Sequence, residues 1–295
     1  MTLRPTTRRA LLLGAAFAAG AGAGAWAADA AAELAAAERA SGGRMGVLVR
    51  DTASGARLTH RADERFPMCS TFKALAAGRV LNRVDLGELS LDQRIAYSRA
   101  DLLATSPITT QHLAEGAMSL GELCAAIVEY SDNCAANLVL RQIGGPQGLT
   151  AWLRAQGDAV TRLDRTELAL NSAIPGDPRD TTSPAAFAAS FERLTLGQAL
   201  TPASRARLQG WLAANTTGSQ RLRAGLPRTW AIGDKTGSNG ADTANDVALL
   251  RPPSPSGRAP LIAAVFVTQA RSQDAANATI AEVGRIIGRW AIAHG

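Results

Sequence analysis

The pattern of hydrophobic and polar positions changes texture twice along the chain. Residues 31–41 are alanine-rich with Glu33 and Glu38, and predict a helix ended by Gly42-Gly43. Met45 to Asp51 and Ala56 to His60 read as two strands joined by the turn Ala53-Ser54-Gly55. After residue 66 the texture becomes helical. Thr71 to Leu81 is strongly apolar, and Ser119-Leu120-Gly121-Glu122 is a capping box opening a helix toward Tyr130. Asp132 to Ile143 predicts a helix stopped at Gly144-Gly145, and Pro146 to Ala155 another. Residues 161–181 have little periodicity and contain Pro175, Gly176 and Pro178, as a compact loop does. Ser183-Pro184 and Thr201-Pro202 each place a cap before a first-turn proline. Strand texture returns at Thr229–Ile232, Asp246–Leu250 and Leu261–Thr268, with Pro252, Pro253 and Pro255 turning the chain between the last two. Asp274 to Ala293 predicts a closing amphipathic helix.

Strands at both ends and helices between them predict an α/β fold. A sheet of N- and C-terminal segments (31–65 and 216–295) carries the terminal helices, and an all-α domain (66–215, including the loop 161–181) is inserted. The cleft between two such units is where a site is expected.

The first thirty residues are excluded from that fold. Thr6-Thr7-Arg8-Arg9-Ala10-Leu11-Leu12-Leu13 leads into an Ala/Gly-rich apolar run to about Ala25. Small residues follow at Ala25-Trp26-Ala27 and Ala28-Asp29-Ala30. That is signal-peptide order, and the paired arginines point to the twin-arginine route, with a general secretory signal as the alternative. No later stretch reaches about 18 uncharged apolar residues. The chain is therefore expected to be exported, periplasmic or secreted, and free of the membrane once the signal is removed.

Charge and cysteine content exclude other classes. The net charge of +6 includes +2 from residues 1–30, which hold three arginines and one aspartate; the remaining +4 is scattered, without a basic run, so nucleic acid is set aside. Cys69, Cys124 and Cys134 are odd in number, and the three histidines stand far apart, so no metal site and no cofactor are expected. One count does point to chemistry. Of 31 basic residues only Lys73 and Lys235 are lysine. Lysine differs from arginine in losing its proton when buried and in acting as a point charge, so these two places are candidates for an ammonium.

Both lysines sit in short polar motifs. In Ser70-Thr71-Phe72-Lys73 the serine and lysine are three apart on a helix and share a face, so a base stands beside a nucleophile. Ser70 also stands where that helix begins, where free N–H groups favour a developing oxyanion. Ser131-Asp132-Asn133 lies between two helices and offers a hydroxyl to relay a proton and an amide to bind a substrate amide. Lys235-Thr236-Gly237 ends the strand Trp230–Asp234; it can hold a carboxylate, and its glycine lets backbone approach. Each motif alone is equally compatible with a surface pair, a helix cap or a polar strand end.

Together, in this order, Ser-x-x-Lys, Ser-Asp-Asn and Lys-Thr-Gly are the signature of class A β-lactamases and penicillin-binding proteins. The chain resembles that family over residues 31–295. Arg165-Thr166-Glu167-Leu168-Ala169-Leu170-Asn171, followed by Pro175-Gly176-Asp177-Pro178-Arg179-Asp180-Thr181, resembles the omega loop of the class A serine β-lactamases, which the peptidase branch lacks. The resemblance implies a β-lactamase/transpeptidase-like fold with an antiparallel sheet. It implies a monomeric enzyme that hydrolyses the amide of small-molecule β-lactams through an acyl-enzyme on Ser70 and so confers resistance. It also implies the residue roles. Backbone N–H groups of Ser70 and Ser238 form the oxyanion hole, and Lys73, or Glu167 through a water, takes the serine proton. Ser131 protonates the leaving nitrogen, and Asn133 binds the substrate's side-chain amide. Glu167 and Asn171 hold the hydrolytic water, while Lys235, Thr236 and Ser238, after Gly237, face the substrate carboxylate. Arg165 and Asp180 pair across the base of the loop, and the Glu167–Leu168 peptide is cis. The alternatives are a DD-peptidase and a non-hydrolysing β-lactam sensor; Glu167 argues against both.

Three departures from the family stand out. Relatives often place an arginine after Lys-Thr-Gly where this chain has Thr243, Ala244 and Asn245; Thr216-Thr217-Gly218-Ser219-Gln220-Arg221 resembles the alternative in which Arg221 supplies that charge. Cys69 precedes the nucleophile as in carbapenem-hydrolysing relatives, but the position of their second cysteine is Asn239, so that bridge cannot form. Thr105 stands where relatives often carry an aromatic on the cleft rim.

Overall fold

Alternating side chains on an antiparallel sheet divide the interior in two. The computed structural model describes residues 18–253 and 259–294; Arg8-Arg9 and Pro255 lie outside them. Strands β1 (Arg44–Asp51) and β2 (Arg57–His60) form a hairpin. After β3 (Phe66–Pro67), β4 (Arg94–Ala96), β5 (Ala117–Ser119) and β6 (Thr181–Thr182) come the long strands β7 (Ala231–Ser238), β8 (Ala244–Arg251) and β9 (Leu261–Thr268). The main sheet runs β2-β1-β9-β8-β7, all antiparallel. On one face Val47, Val49, Ala263 and Val265 pack with α1 (Ala18–Ser41) and α10 (Gln273–His294) through Leu34, Ile280, Val283 and Ile287. On the other, Leu48, Ile262, Ala264 and Phe266 pack against the helical body.

That body is built around α2 (Phe72–Asp85), whose residues from Phe72 to Gly78 are all buried, as expected of a helix apolar on every side. Around it stand α3 (Pro107–Gln111), α4 (Leu120–Glu129), α5 (Asn133–Gln142), α6 (Gly145–Ala155), α7 (Pro184–Thr195) and α8 (Pro202–Ala213). Ser119 and Glu122 form the predicted capping box, and Ser183 and Thr201 cap α7 and α8 ahead of their prolines. A single short turn, α9 (Leu222–Gly225), leads back to the sheet. Among the described residues no helix is long and apolar enough to cross a membrane.

Several boundaries differ from the sequence expectation. The first helix already includes Ala18 to Ala30, ahead of the expected start at residue 31. Lys235-Thr236-Gly237 lies inside β7, paired with Val247, Asp246 and Asn245, rather than at its end. Likewise β8 starts at Ala244. Polar side chains there line the cleft, as Thr236 and Ser238 do, or bond buried backbone, as Asn245 does to Pro67 and Met68 and Asp246 to Leu222, so the hydrophobic alternation stops while the backbone ladder continues. The pairs β3–β6 and β4–β5 are too short for periodicity to reveal. The first ties the segment leading to Ser70 to the end of the omega loop, Phe66 opposite Thr182.

Candidate active site

Ser70 sits on a tight 3-10 turn, Cys69–Thr71, that runs directly into α2. The turn is held from three sides. Met68 N–H donates to the Asp180 carbonyl (2.9 Å), and Asn245 Nδ2 donates to the carbonyls of Pro67 and Met68 (2.9 Å each). A Cβ on Gly237 would stand 2.6 Å from the Met68 carbonyl, so only glycine lets β7 lie this close to the nucleophile. Cys69, Thr105 and Ser131 have φ of 44°, 59° and 59°. Left-handed backbone at non-glycine residues costs on the order of 1–3 kcal/mol each and persists only where the surroundings impose it.

At the start of α2, three residues after Ser70, the Lys73 ammonium is fully buried and meets four oxygens. They are Glu167 Oε1 (2.9 Å), the Ser131 carbonyl (2.8 Å), Ser131 Oγ (3.3 Å) and Asn133 Oδ1 (2.6 Å). Burial pulls its pKa below the usual lysine range, and the Glu167 carboxylate opposes that shift. Glu167 Oε1 also lies 3.4 Å from Ser70 Oγ, and its Oε2 accepts from Asn171 Nδ2 at 2.6 Å. Asn171 Oδ1 is buried with no protein partner among the described residues. One carboxylate therefore touches the nucleophile, the lysine and the amide together.

The middle residue of the second motif does structural work. Asp132 caps α5 by accepting from Ala135 N–H (2.9 Å) and takes the N–H groups of Ile108 (3.0 Å) and Thr109 (2.9 Å). It thereby fixes Ser131 and Asn133 on either side of it. Asn133 Nδ2 donates to the Ala104 carbonyl at 2.8 Å.

Glu167 is placed by its loop. Asp180 accepts from the N–H groups of Asp164 (2.7 Å) and Arg165 (2.9 Å) and from Arg165 Nε (2.5 Å), closing the base of 161–181. Asn137 grips the Glu167 backbone at both ends: it accepts from Glu167 N–H and donates to the Glu167 carbonyl, both at 3.0 Å. The Glu167–Leu168 peptide is cis. Sequence reasoning missed Asn137. It is four residues after Asn133, and that helical spacing could have placed it on the same face.

Lys235, on β7, is the other buried ammonium. It donates to Ser131 Oγ (3.2 Å) and to the Thr236 carbonyl (2.9 Å). Burial holds its pKa well below the usual lysine range; Lys73 and Arg221 add to the shift, and Asp234 and Asp246 oppose it. Thr236 Oγ1 pairs with Thr217 Oγ1. Arg221 is buried beneath β7, with Nη1 on the carbonyls of Gly237 (2.9 Å) and Asn245 (2.8 Å). Arg221 is therefore a buried charge beside the strand that carries Lys235. Ser238 departs from its expected direction: its hydroxyl turns to Gln273 on α10 at 2.5 Å. α10 presents a good acceptor there, which nothing at positions 235–238 could announce.

The result is a cleft of about 650 Å3 lined by Ser70, Ser131, Asn133, Asn171, Thr236 and Ser238, with exposed Thr105 and Leu168 on its rim. Every candidate site residue contributes to this one place. The three cysteines are buried free thiols, and desolvation pushes Cys69 up to about 12. Such a thiol is inert.

Comparison with known proteins gives one result throughout. The pattern of the "Beta-lactamase enzyme family" matches residues 29–291. Beta-lactamase AST-1 of Nocardia asteroides is 51% identical over 252 residues, 85% of this chain and 80% of that one. The carbapenem-hydrolyzing beta-lactamase KPC of Klebsiella oxytoca is 49% identical over 251 residues, 84% of each. Among solved structures, an ancestral class A beta-lactamase is 55% identical with a TM-score of 0.85, covering 88% of this chain and 99% of its own.

Proposed function

This chain belongs to the β-lactamase enzyme family, as a class A serine enzyme that hydrolyses β-lactams and so confers resistance, and from that premise we propose how its residues divide the reaction. Ser70 Oγ attacks the lactam carbonyl carbon and forms an ester. Its proton leaves to Lys73, or to Glu167 through a water. The carbonyl oxygen, negative in the transition state, is held by the backbone N–H groups of Ser70 and Ser238. Ser131 delivers a proton to the nitrogen as the C–N bond breaks; its hydroxyl lies between the two ammonium groups, 3.3 Å from Lys73 and 3.2 Å from Lys235. Asn133 binds the side-chain amide, and Lys235, Thr236 and Arg221 supply the field for the carboxylate. A water then gives a proton to Glu167 and attacks the ester, restoring the Ser70 hydroxyl and releasing the opened acid.

The observation that carries this division is the Glu167 carboxylate placed among Ser70, Lys73 and Asn171. The unpartnered Asn171 oxygen adds a second acceptor beside it for a water. Ser70, Lys73, Ser131, Glu167 and Lys235 all come from one chain, so a monomer would hold the whole site. We assign residues 31–65 and 216–295 to a sheet domain and 66–215 to a helical domain, with one core between them to which the sheet contributes Leu48, Ile262, Ala264 and Phe266. Arg8-Arg9 ahead of an apolar run supports export by the twin-arginine route to the periplasm or medium. The free Cys69 thiol and Asn239 argue against carbapenems as good substrates.

Glu167→Ala tests the division. Mixed with benzylpenicillin it is expected to consume about one equivalent and stall, with the whole substrate mass on the protein by intact-mass spectrometry, because the second step loses its base while the first keeps Lys73. Wild type is expected to turn over with little adduct at the end. Wild-type-like turnover by Glu167→Ala removes the water-activating role. A wild type that itself stalls describes a DD-peptidase or a sensor.

A further inference from the structure

The Ser238 hydroxyl is bound into a chain of polar groups that ends on Arg221. Ser238 Oγ accepts from Gly240 N–H (2.9 Å) and lies 2.5 Å from Gln273 Oε1. Gln273 Nε2 is 3.3 Å from Asn277 Oδ1, and Arg221 Nε reaches that same oxygen at 2.9 Å. Asn277 Nδ2 in turn points to Gln220 Oε1 at 3.4 Å. Gln273 and Asn277 are four apart and share one face at the start of α10.

The direction of this chain follows from Arg221. A guanidinium has only donors, so Asn277 must offer it the oxygen. Gln273, facing that oxygen, must present its amide N–H, and its own Oε1 is left for Ser238. The serine hydroxyl already accepts from Gly240, so its single proton goes to Gln273. We infer that Gln273 is a positioning residue, which withholds the Ser238 hydroxyl proton from the carboxylate of a bound β-lactam. The inference rests on the reading above that positions 235–238 face that carboxylate.

Gln273→Leu removes the acceptor and leaves Ser238 free to turn into the cleft. With benzylpenicillin its KM is expected to fall by about 2- to 10-fold, the span of one net hydrogen bond, with little change in kcat. Gln273→Glu keeps an acceptor and is expected not to lower KM. In a Ser238→Ala background, Gln273→Leu is expected to have no effect on KM. An unchanged KM for Gln273→Leu, or the same fall without the serine hydroxyl, overturns the inference. Thr236→Ala, measured alongside, separates the two levels. If it raises KM while Gln273→Leu does nothing, only the role of Gln273 fails. If Thr236→Ala also leaves KM unchanged, the carboxylate reading of this strand fails and takes the inference with it.

Discussion

Two fully buried lysines flank the Ser131 hydroxyl in the cleft floor, and the two are partnered differently. Lys73 has a carboxylate at 2.9 Å and three further oxygens around it. Lys235 donates to a hydroxyl and a carbonyl, while Lys73 and Arg221 raise the positive potential around it. Burial depresses both pKa values, but among the described residues Lys73 has an anion in direct contact to resist the shift and Lys235 has none. The same side chain is thus prepared for two tasks. An ammonium already neutralised by Glu167 can exchange a proton with its neighbours at small electrostatic cost. One left without a contacting anion is completed by an arriving carboxylate.

The largest test removes the first of these. Lys73→Met is expected to lower kcat by about 10²–10⁴-fold on every β-lactam, the usual worth of a positioned proton-transfer group. Stopped-flow acylation rates check it, and a loss confined to KM would make Lys73 a binding charge like its counterpart. Lys235→Met is expected to cost less, about 10- to 150-fold in kcat/KM, carried mainly by KM. The loss should shrink to a few-fold for a penicillin methyl ester, which lacks the anion. Equal losses on acid and ester would erase the distinction between the two lysines.

The smallest effect is on stability. A lysine whose folded pKa lies below its unfolded value of about 10.4 binds fewer protons when folded. Between those two values the unfolded state holds more protons, so stability rises with pH across that window. Below it, the charged Lys235 is a standing cost to the ligand-free fold. Lys235→Met is therefore expected to be more stable than wild type at pH 7, by about 0.5–2 kcal/mol. The gap should narrow as the pH approaches 10. Denaturant midpoints at pH 7 and 9.5 read this directly, and a less stable Lys235→Met at pH 7 contradicts the unpaired state of that ammonium.

Much of the molecule was legible before any coordinates. The capping box at Ser119, the prolines after Ser183 and Thr201, and the glycines after Ser41 and Ile143 mark helix ends through local backbone chemistry alone, and the helices begin or stop there. The two lysines marked places in the cleft because lysine is rare in this chain, whereas each short motif was ambiguous alone and pointed to a site only in their joint order. Less legible were the ends of β7 and β8. There the polar side chains answer to the cleft or to buried backbone of neighbouring segments, so hydrophobic alternation falls silent while the hydrogen-bond ladder goes on.

The sequence by itself determined the elements and the chemical inventory, since propensity, capping and residue type act within a few positions of the chain. What the tertiary structure alone decided was which groups share a proton or a charge. Asn137 gripping the Glu167 backbone, the Arg221 guanidinium lodged under β7, and the Ser238 hydroxyl turned to Gln273 all join residues 16 to 35 positions apart. Hydrogen bonds reach only about 3 Å and depend on direction. A partner of that kind exists only once packing has fixed where both ends stand, and no pattern along the chain encodes it.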